Sequence, residues 1–243
     1  MVFLSGISFS LSTKQIASFT DYKNYVVKRF KRLIIPAWIF IVIFLAVFGA
    51  FEFAGIGDEK FSLGLIARSF LLIDGVGYVW VIRVYFLMAL IAPLMKNFLL
   101  RLKWPYQIMT FIVLALIQQL LVVYTKDAFG RLNIIYQYIF LYIIGYGLIY
   151  WIGMIVNKLS RKVILLLGII FTGVFIVIGV SSGQYSIQAA KYPPQLYYIM
   201  YGLAASLFLV LIARTGVGNR LGKSKAVQFL SKYSLTTSQI AVL

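Results

Sequence analysis

Two residue types are missing from this 243-residue chain: it has no cysteine and no histidine. Without cysteine there is no disulfide, no thiolate nucleophile and no cysteine-held metal. Without histidine the commonest general base and the commonest metal ligand are gone, so a serine–histidine pair cannot be built around Ser5. Acids are scarce as well, six Asp and Glu against 23 Lys and Arg, for a formal net charge of +17. They form no metal-ligating constellation, and no metal is expected. Asp58, Glu59, Asp74 and Asp127 fall in loops, where an acid is either simply solvated or a carboxylate base at the outer face.

What is abundant is apolar: 62% of the residues are hydrophobic and 12% charged, with a mean hydropathy of +0.95. That balance belongs to an integral membrane protein. Nucleic-acid binding would need the cations gathered on one water-facing surface. Here they alternate with apolar runs, so anionic lipid head groups are the expected partners and nucleic acid is not.

Leu33 to Ala54 is an apolar run of about 33 Å as a helix, slightly more than the ~30 Å hydrocarbon core. Lys28, Arg29, Lys31 and Arg32 precede it and mark its cytoplasmic end. Pro36 is expected in the first turn, where a missing N–H is tolerated. Upstream, Thr20 reads as an N-cap before Asp21, and Tyr22, Val26 and Phe30 recur at helical spacing. They predict a short amphipathic helix in the interface.

Further spans are predicted at Tyr78 to Met95, Trp104 to Tyr124, Leu132 to Val156, Val163 to Val180 and Gln195 to Ala213. Leu63 to Ile73 is too short to cross, so it is re-entrant or a surface helix. With strict alternation, 17 of the 23 cations fall on one side, and of the acids only Asp21 does. The positive-inside rule then places that side in the cytoplasm. The expected fold is all-α, a polytopic transmembrane bundle of about six full spans in a single membrane-embedded domain, multi-pass in the plasma membrane.

Both ends read as partial helices. Met1 to Leu11 is apolar but short and lacks the cationic start of a signal peptide, as if it were the last half of a helix. Phe229 to Leu235 reads as the start of another span.

Three groups of residues are candidates for chemistry. Arg29 and Arg32, with Lys28 and Lys31, are either a topology signal or a clamp for an anionic cytosolic ligand, since guanidinium groups grip phosphate bidentately. Arg83 sits within a span, where it costs at least ~2.5 kcal/mol at the bilayer centre. Either it snorkels to the surface or, the favoured reading, it faces inward as a functional group. Lys191-Tyr192-Pro193-Pro194 is a rigid loop end with an aromatic anchor or part of a site. Tyr136, Tyr138, Tyr142, Tyr146 and Tyr150 suit an interfacial belt or a polar cavity wall equally well.

In order and spacing these pieces resemble the acyltransferase 3 family of multi-spanning membrane acyltransferases. Phe3-Leu4-Ser5-Gly6 is similar to the family's "F-x-SG" segment, and Lys28 through Pro36 to its "R-x-x-R-L-x-P" approach to a helix. Tyr78-Val79-Trp80-Val81-Ile82-Arg83 resembles its "H-x-W-F-x-R/L" stretch, departing at Tyr78 and Val81. Ile143-Ile144-Gly145-Tyr146 matches a "hydrophobic-x-G-Y" helix, Lys191 to Tyr198 a loop-to-helix motif of one branch, and Phe229 to Leu235 the "LSKYSL" start of the last helix.

The resemblance implies transfer of an acyl group from a cytosolic acyl-CoA, most often acetyl-CoA, to a hydroxyl of a cell-surface polysaccharide or glycan precursor. It implies donor phosphates held by Arg29 and Arg32 beside Lys28 and Lys31, and substrate contacts from Arg83, Trp80, Lys191 and Tyr192. The family's catalytic His has no counterpart here, and Leu235 is followed by Thr236-Thr237-Ser238-Gln239 where the family continues "xxYLxH". A member shortened at both ends, inactive alone, is expected. A non-catalytic transporter or flippase-like protein for a polar lipid-linked substrate is the alternative, suggested by the intramembrane Arg and the many Tyr, and a degenerate fragment without function the weaker third.

Overall fold

The computed structural model describes residues 1–12, 16, 18–53, 62–73, 79–125, 130, 133–183, 185–216, 218, 220, 224–225 and 228. These form α1 (Val2–Ser12), α2 (Phe19–Phe53), α3 (Leu63–Phe70), α4 (Val79–Phe98), α5 (Trp104–Thr125), α6 (Asn133–Ile135), α7 (Tyr142–Ile155), α8 (Arg161–Ser182) and α9 (Leu196–Ala213). A π-helical turn (Tyr136–Leu141) joins α6 to α7. Among the described residues there is no strand, and six helices are long and apolar enough to cross a membrane: α2, α4, α5, α7 with its π turn, α8 and α9. The architecture is all-α and polytopic, as the apolar runs predict.

The chain forms two compact units. The first holds Met1–Ile16 and Leu90–Arg220. Its centre is α7, buried at nearly every position from Tyr142 to Ile155. Two glycines let α1 reach it. A Cβ on Gly6 would meet the Tyr150 carbonyl oxygen, and one on Gly153 the Phe3 carbonyl oxygen, each inside 3 Å. Only glycine allows backbones to approach so closely, the device that packs membrane helices where burial from water offers no drive. Phe3 and Phe9 close the seam from the α1 side, both 2% exposed.

At the basic end of the same unit Arg214, just past α9, donates to the Leu159 carbonyl (2.8 Å) and the Val156 carbonyl (2.9 Å). Arg161 donates to the Arg214 carbonyl in return. The carbonyls after α7 thereby face a cation, that of Val156 in addition to the Leu159 N–H, which suits the negative end of a helix dipole. Ser160 caps the start of α8, accepting from the Val163 N–H, and Gly183 closes its end in the left-handed region (φ 62°).

The second unit holds Ala17–Ala89 with Leu221–Leu243. Here the expected helix starts and breaks need correction. Ser18, not Thr20, caps α2: its hydroxyl accepts from the Asp21 N–H (3.1 Å), while the Asp21 carboxylate accepts from the Ser18 N–H (3.3 Å). This is a capping box, in which two orphan donors are satisfied reciprocally. Nor is there a separate interface helix, because α2 runs unbroken for 35 residues with Pro36 in its interior. The stripe Tyr22, Val26 and Phe30 continues in register through Ile34, Ala37 and Ile41, all three buried. One continuous stripe favours one continuous helix, and the single hydrogen bond that Pro36 removes does not break it.

At ~1.5 Å per residue α2 is about 52 Å long, some 20 Å longer than a hydrocarbon core. Ile34, Ala37, Ile41 and Leu72 form the core of this unit, with Phe30, Phe70, Ile82 and Phe86 packed around it. The helix α3 has eight residues, about 12 Å, so it does not cross a membrane.

Tyr78, Asp58, Glu59, Asp74, Asp127 and the stretch from Phe229 to Leu243 lie outside the described residues.

Candidate functional site

In the second unit, the cations of α2 divide by helical position. Lys28, Lys31 and Arg32 are exposed, and the spacings i, i+3 and i+4 put them on neighbouring positions of one face. Arg29 is half-buried beside the core stripe, its guanidinium 5.2 Å from the Tyr25 ring centroid. Arg29 and Arg32, three residues apart, remain neighbours on the helix, with Arg29 the more covered of the two. No carboxylate stands three or four residues from any of the four, and like charges at those spacings cost a few tenths of a kcal/mol per pair. A multiply charged anion relieves that repulsion.

Arg83 is turned into the protein, 6% exposed. Its Nη1 donates to the Leu72 carbonyl at 2.9 Å and to the Ile73 carbonyl. Leu72 has φ 57°, a conformation that costs a branched side chain roughly 1–2 kcal/mol. Burial of the Leu72 side chain and the guanidinium together hold it there. From the other side the Trp38 indole N–H donates to the Phe70 carbonyl at 2.9 Å. The C-terminal end of α3 is thus pinned by side chains from α2 and α4. Trp80, three residues before Arg83, is half-buried.

In the first unit, motifs far apart in sequence come together. Gly145 accommodates Pro194, whose Cγ would lie 2.5 Å from a Cβ placed there. Gln118, fully buried, donates to the Pro194 carbonyl at 2.8 Å. Gln119 accepts from the Leu196 N–H at 2.9 Å, supplying the start of α9 with a partner. The Tyr146 hydroxyl reaches the Lys191 carbonyl at 3.5 Å. Tyr138, Tyr142, Tyr146 and Tyr198 follow one another edge to face, with centroids 5.9, 5.3 and 6.2 Å apart.

Tyr142, Tyr146 and Tyr150 are buried, so this part of the row is internal rather than an interfacial belt: Tyr146 lies against Lys191 and Tyr150 against Phe9 of α1. Tyr192 is exposed, with the Lys191 ammonium 5.1 Å from its ring centroid. A cation beside an exposed aromatic face suits contact with a polar ligand.

Gln118 and Gln119 were not among the residues picked out from sequence. The signal was present: two adjacent amides inside an otherwise apolar span, where a polar side chain is expensive unless it meets a partner.

The helices and their buried polar anchors define a multi-pass membrane protein. The chain matches the acyltransferase 3 family, described as an acyltransferase domain, over residues 1–237, and it belongs to that family. It is thus of the membrane acyltransferase class. No curated protein and no solved structure matches it.

Proposed function

We propose that this chain carries the donor-binding face of a plasma-membrane O-acyltransferase, which moves an acetyl or other acyl group from cytosolic acyl-CoA to a hydroxyl of a cell-surface polysaccharide or glycan precursor. The observation that carries the reading is the family match over residues 1–237. The exposed cations of α2 support the donor half. In this arrangement Lys28, Lys31 and Arg32 hold phosphates at the cytoplasmic end, and Arg29 closes on them from its place over Tyr25. Lys191 and Tyr192 in the first unit, and Trp80 with Arg83 in the second, are the substrate contacts of this reading.

Acyl transfer forms an ester bond from the acceptor oxygen to the acyl carbon and breaks the thioester bond, and the thiol leaves with the proton that the hydroxyl gives up. A base must carry that proton. These 243 residues hold no histidine for that role, and the reading assigned to this chain is donor binding rather than turnover.

Acetyl-CoA binding to the purified protein in lipid nanodiscs tests the donor half. Saturable binding that weakens about tenfold in Arg29→Ala/Arg32→Ala supports it, a loss near the ~1.4 kcal/mol of one charge-assisted contact. Absence of saturable binding by the unmodified protein refutes it. Movement of a labelled lipid-linked glycan across vesicles without any acyl donor would favour a transporter instead.

A further inference from the structure

A groove of about 780 Å³ opens in the first unit between α5 and α8, floored by Trp151 and Ile155 of α7. Its volume is in the range of ligand sites. On α5 the lining runs from Trp104 to Leu116, and on α8 from Val163 to Val174. Those stretches measure roughly 16–18 Å along their helices, close to the ~15 Å depth of one leaflet of a bilayer core.

The groove is polar at one end only. Gln107, in the first turns of α5, and Lys158 and Ser160, between α7 and α8, line its mouth, and the rest of both walls is aliphatic and aromatic. Lys103, Arg161 and Lys162 flank the same end in sequence, so the field at the mouth is positive. The Gln107 amide donates to the Leu102 carbonyl at 2.9 Å, while its Oε1 has no hydrogen-bond partner among the described residues.

We infer that this groove holds one acyl chain of an anionic glycerophospholipid, its phosphate against Lys158. The length selects a chain that reaches from the interface to mid-bilayer. The mouth selects the head group, since basic pockets between membrane helices attract anionic lipids. A zwitterionic lipid fills the shaft equally well but gains nothing from the net positive mouth. The inference does not rest on the acyl-transfer reading.

Native mass spectrometry of the full chain in neutral detergent, given equimolar phosphatidylglycerol and phosphatidylcholine with the same chains, tests it. The expected result is retention of phosphatidylglycerol at least about fivefold over phosphatidylcholine, roughly 1 kcal/mol. Lys158→Gln should bring the ratio near one without abolishing lipid retention. Ile112→Trp and Ile170→Trp, at half-exposed lining positions, should displace both lipids while leaving thermal unfolding unchanged.

Equal retention of the two lipids by the unmodified protein overturns the inference, as does a ratio untouched by Lys158→Gln. So does lipid retention that survives both tryptophan variants. Displacement of the lipid by acetyl-CoA would make the groove the donor's site, and a dimer that dissociates in Ile112→Trp would make it a contact between two copies. Either result overturns the inference as well.

Discussion

The α1–α7 seam yields the sharpest expectation, because it is set by backbone atoms that cannot rotate away. In Gly153→Ala the new methyl group would meet the Phe3 carbonyl oxygen well inside 3 Å, whereas ordinary contact begins at 3.4 Å. The helices must part by roughly 1 Å, a gap that forfeits about half of each dispersion contact across the seam. That seam includes Phe3, Phe9, Tyr150 and Met154, all 2% exposed or less. A loss of about 3 kcal/mol is expected, at the upper end for overpacking.

Gly49→Ala in α2 is the control, since nothing lies within 4 Å of its Cβ, and replacing a helical glycine there should add up to ~1 kcal/mol. Thermal unfolding in detergent, followed by size-exclusion recovery after heating, reads both. Because Gly6 contacts α7 across the same seam, Gly6→Ala/Gly153→Ala should cost much less than the sum of the single changes: once the helices have parted, the second methyl group finds room. An unaltered midpoint for Gly153→Ala, or strict additivity in the double variant, would refute the close-crossing argument.

Arg83→Met removes the donor from the Leu72 and Ile73 carbonyls; about 2–4 kcal/mol and faster proteolysis within 62–73 are expected, with partial recovery in Arg83→Lys. Gln118→Leu leaves the Pro194 carbonyl unbonded at a cost of roughly 1–3 kcal/mol, and an unfolding midpoint equal to that of the unmodified chain would show the bond to be irrelevant. Ser18→Ala breaks the capping box of α2 and should lower stability by about 1 kcal/mol, seen as increased hydrogen exchange in the first turn of that helix alone. Arg214→Ala removes the guanidinium from the Val156 and Leu159 carbonyls; a loss of about 1–2 kcal/mol is expected at this partly exposed position, and Arg214→Lys should restore less than half of it.

The spans were legible because the bilayer sets their length: Trp104 to Tyr124 was expected and Trp104–Thr125 is observed. The end of the second crossing was less so, since α4 runs on to Phe98 past the expected Met95; Lys96 carries no instruction to stop a helix. The start and continuity of α2 could have been read better, as Ser18 stands three residues before Asp21 and the buried stripe passes through Pro36 in register.

Contacts between helices were not legible. Phe3-Leu4-Ser5-Gly6 can be recognised as a motif, but only the structure shows that its glycine serves a helix crossing. Hydropathy likewise marks where a helix lies and not which face it turns to its neighbour, so Arg83 had two open fates until the carbonyl groups of Leu72 and Ile73 appeared beside it. The same limit hid the partnership of Gln118 with Pro194, 76 positions apart.

The unbroken α2 has one more consequence. A stiff rod couples the height and the bearing of its basic face to the part of itself that is fixed by Ile34, Ala37 and Ile41. Inserting one residue between Arg32 and Leu33 would swing everything upstream by about 100° and lift it by about 1.5 Å, whereas inserting four would restore the bearing to within about 40° and raise it by about 6 Å. Bearing and height can therefore be varied almost separately by changing the length of the helix, a form of control that a hinged interface helix would not provide.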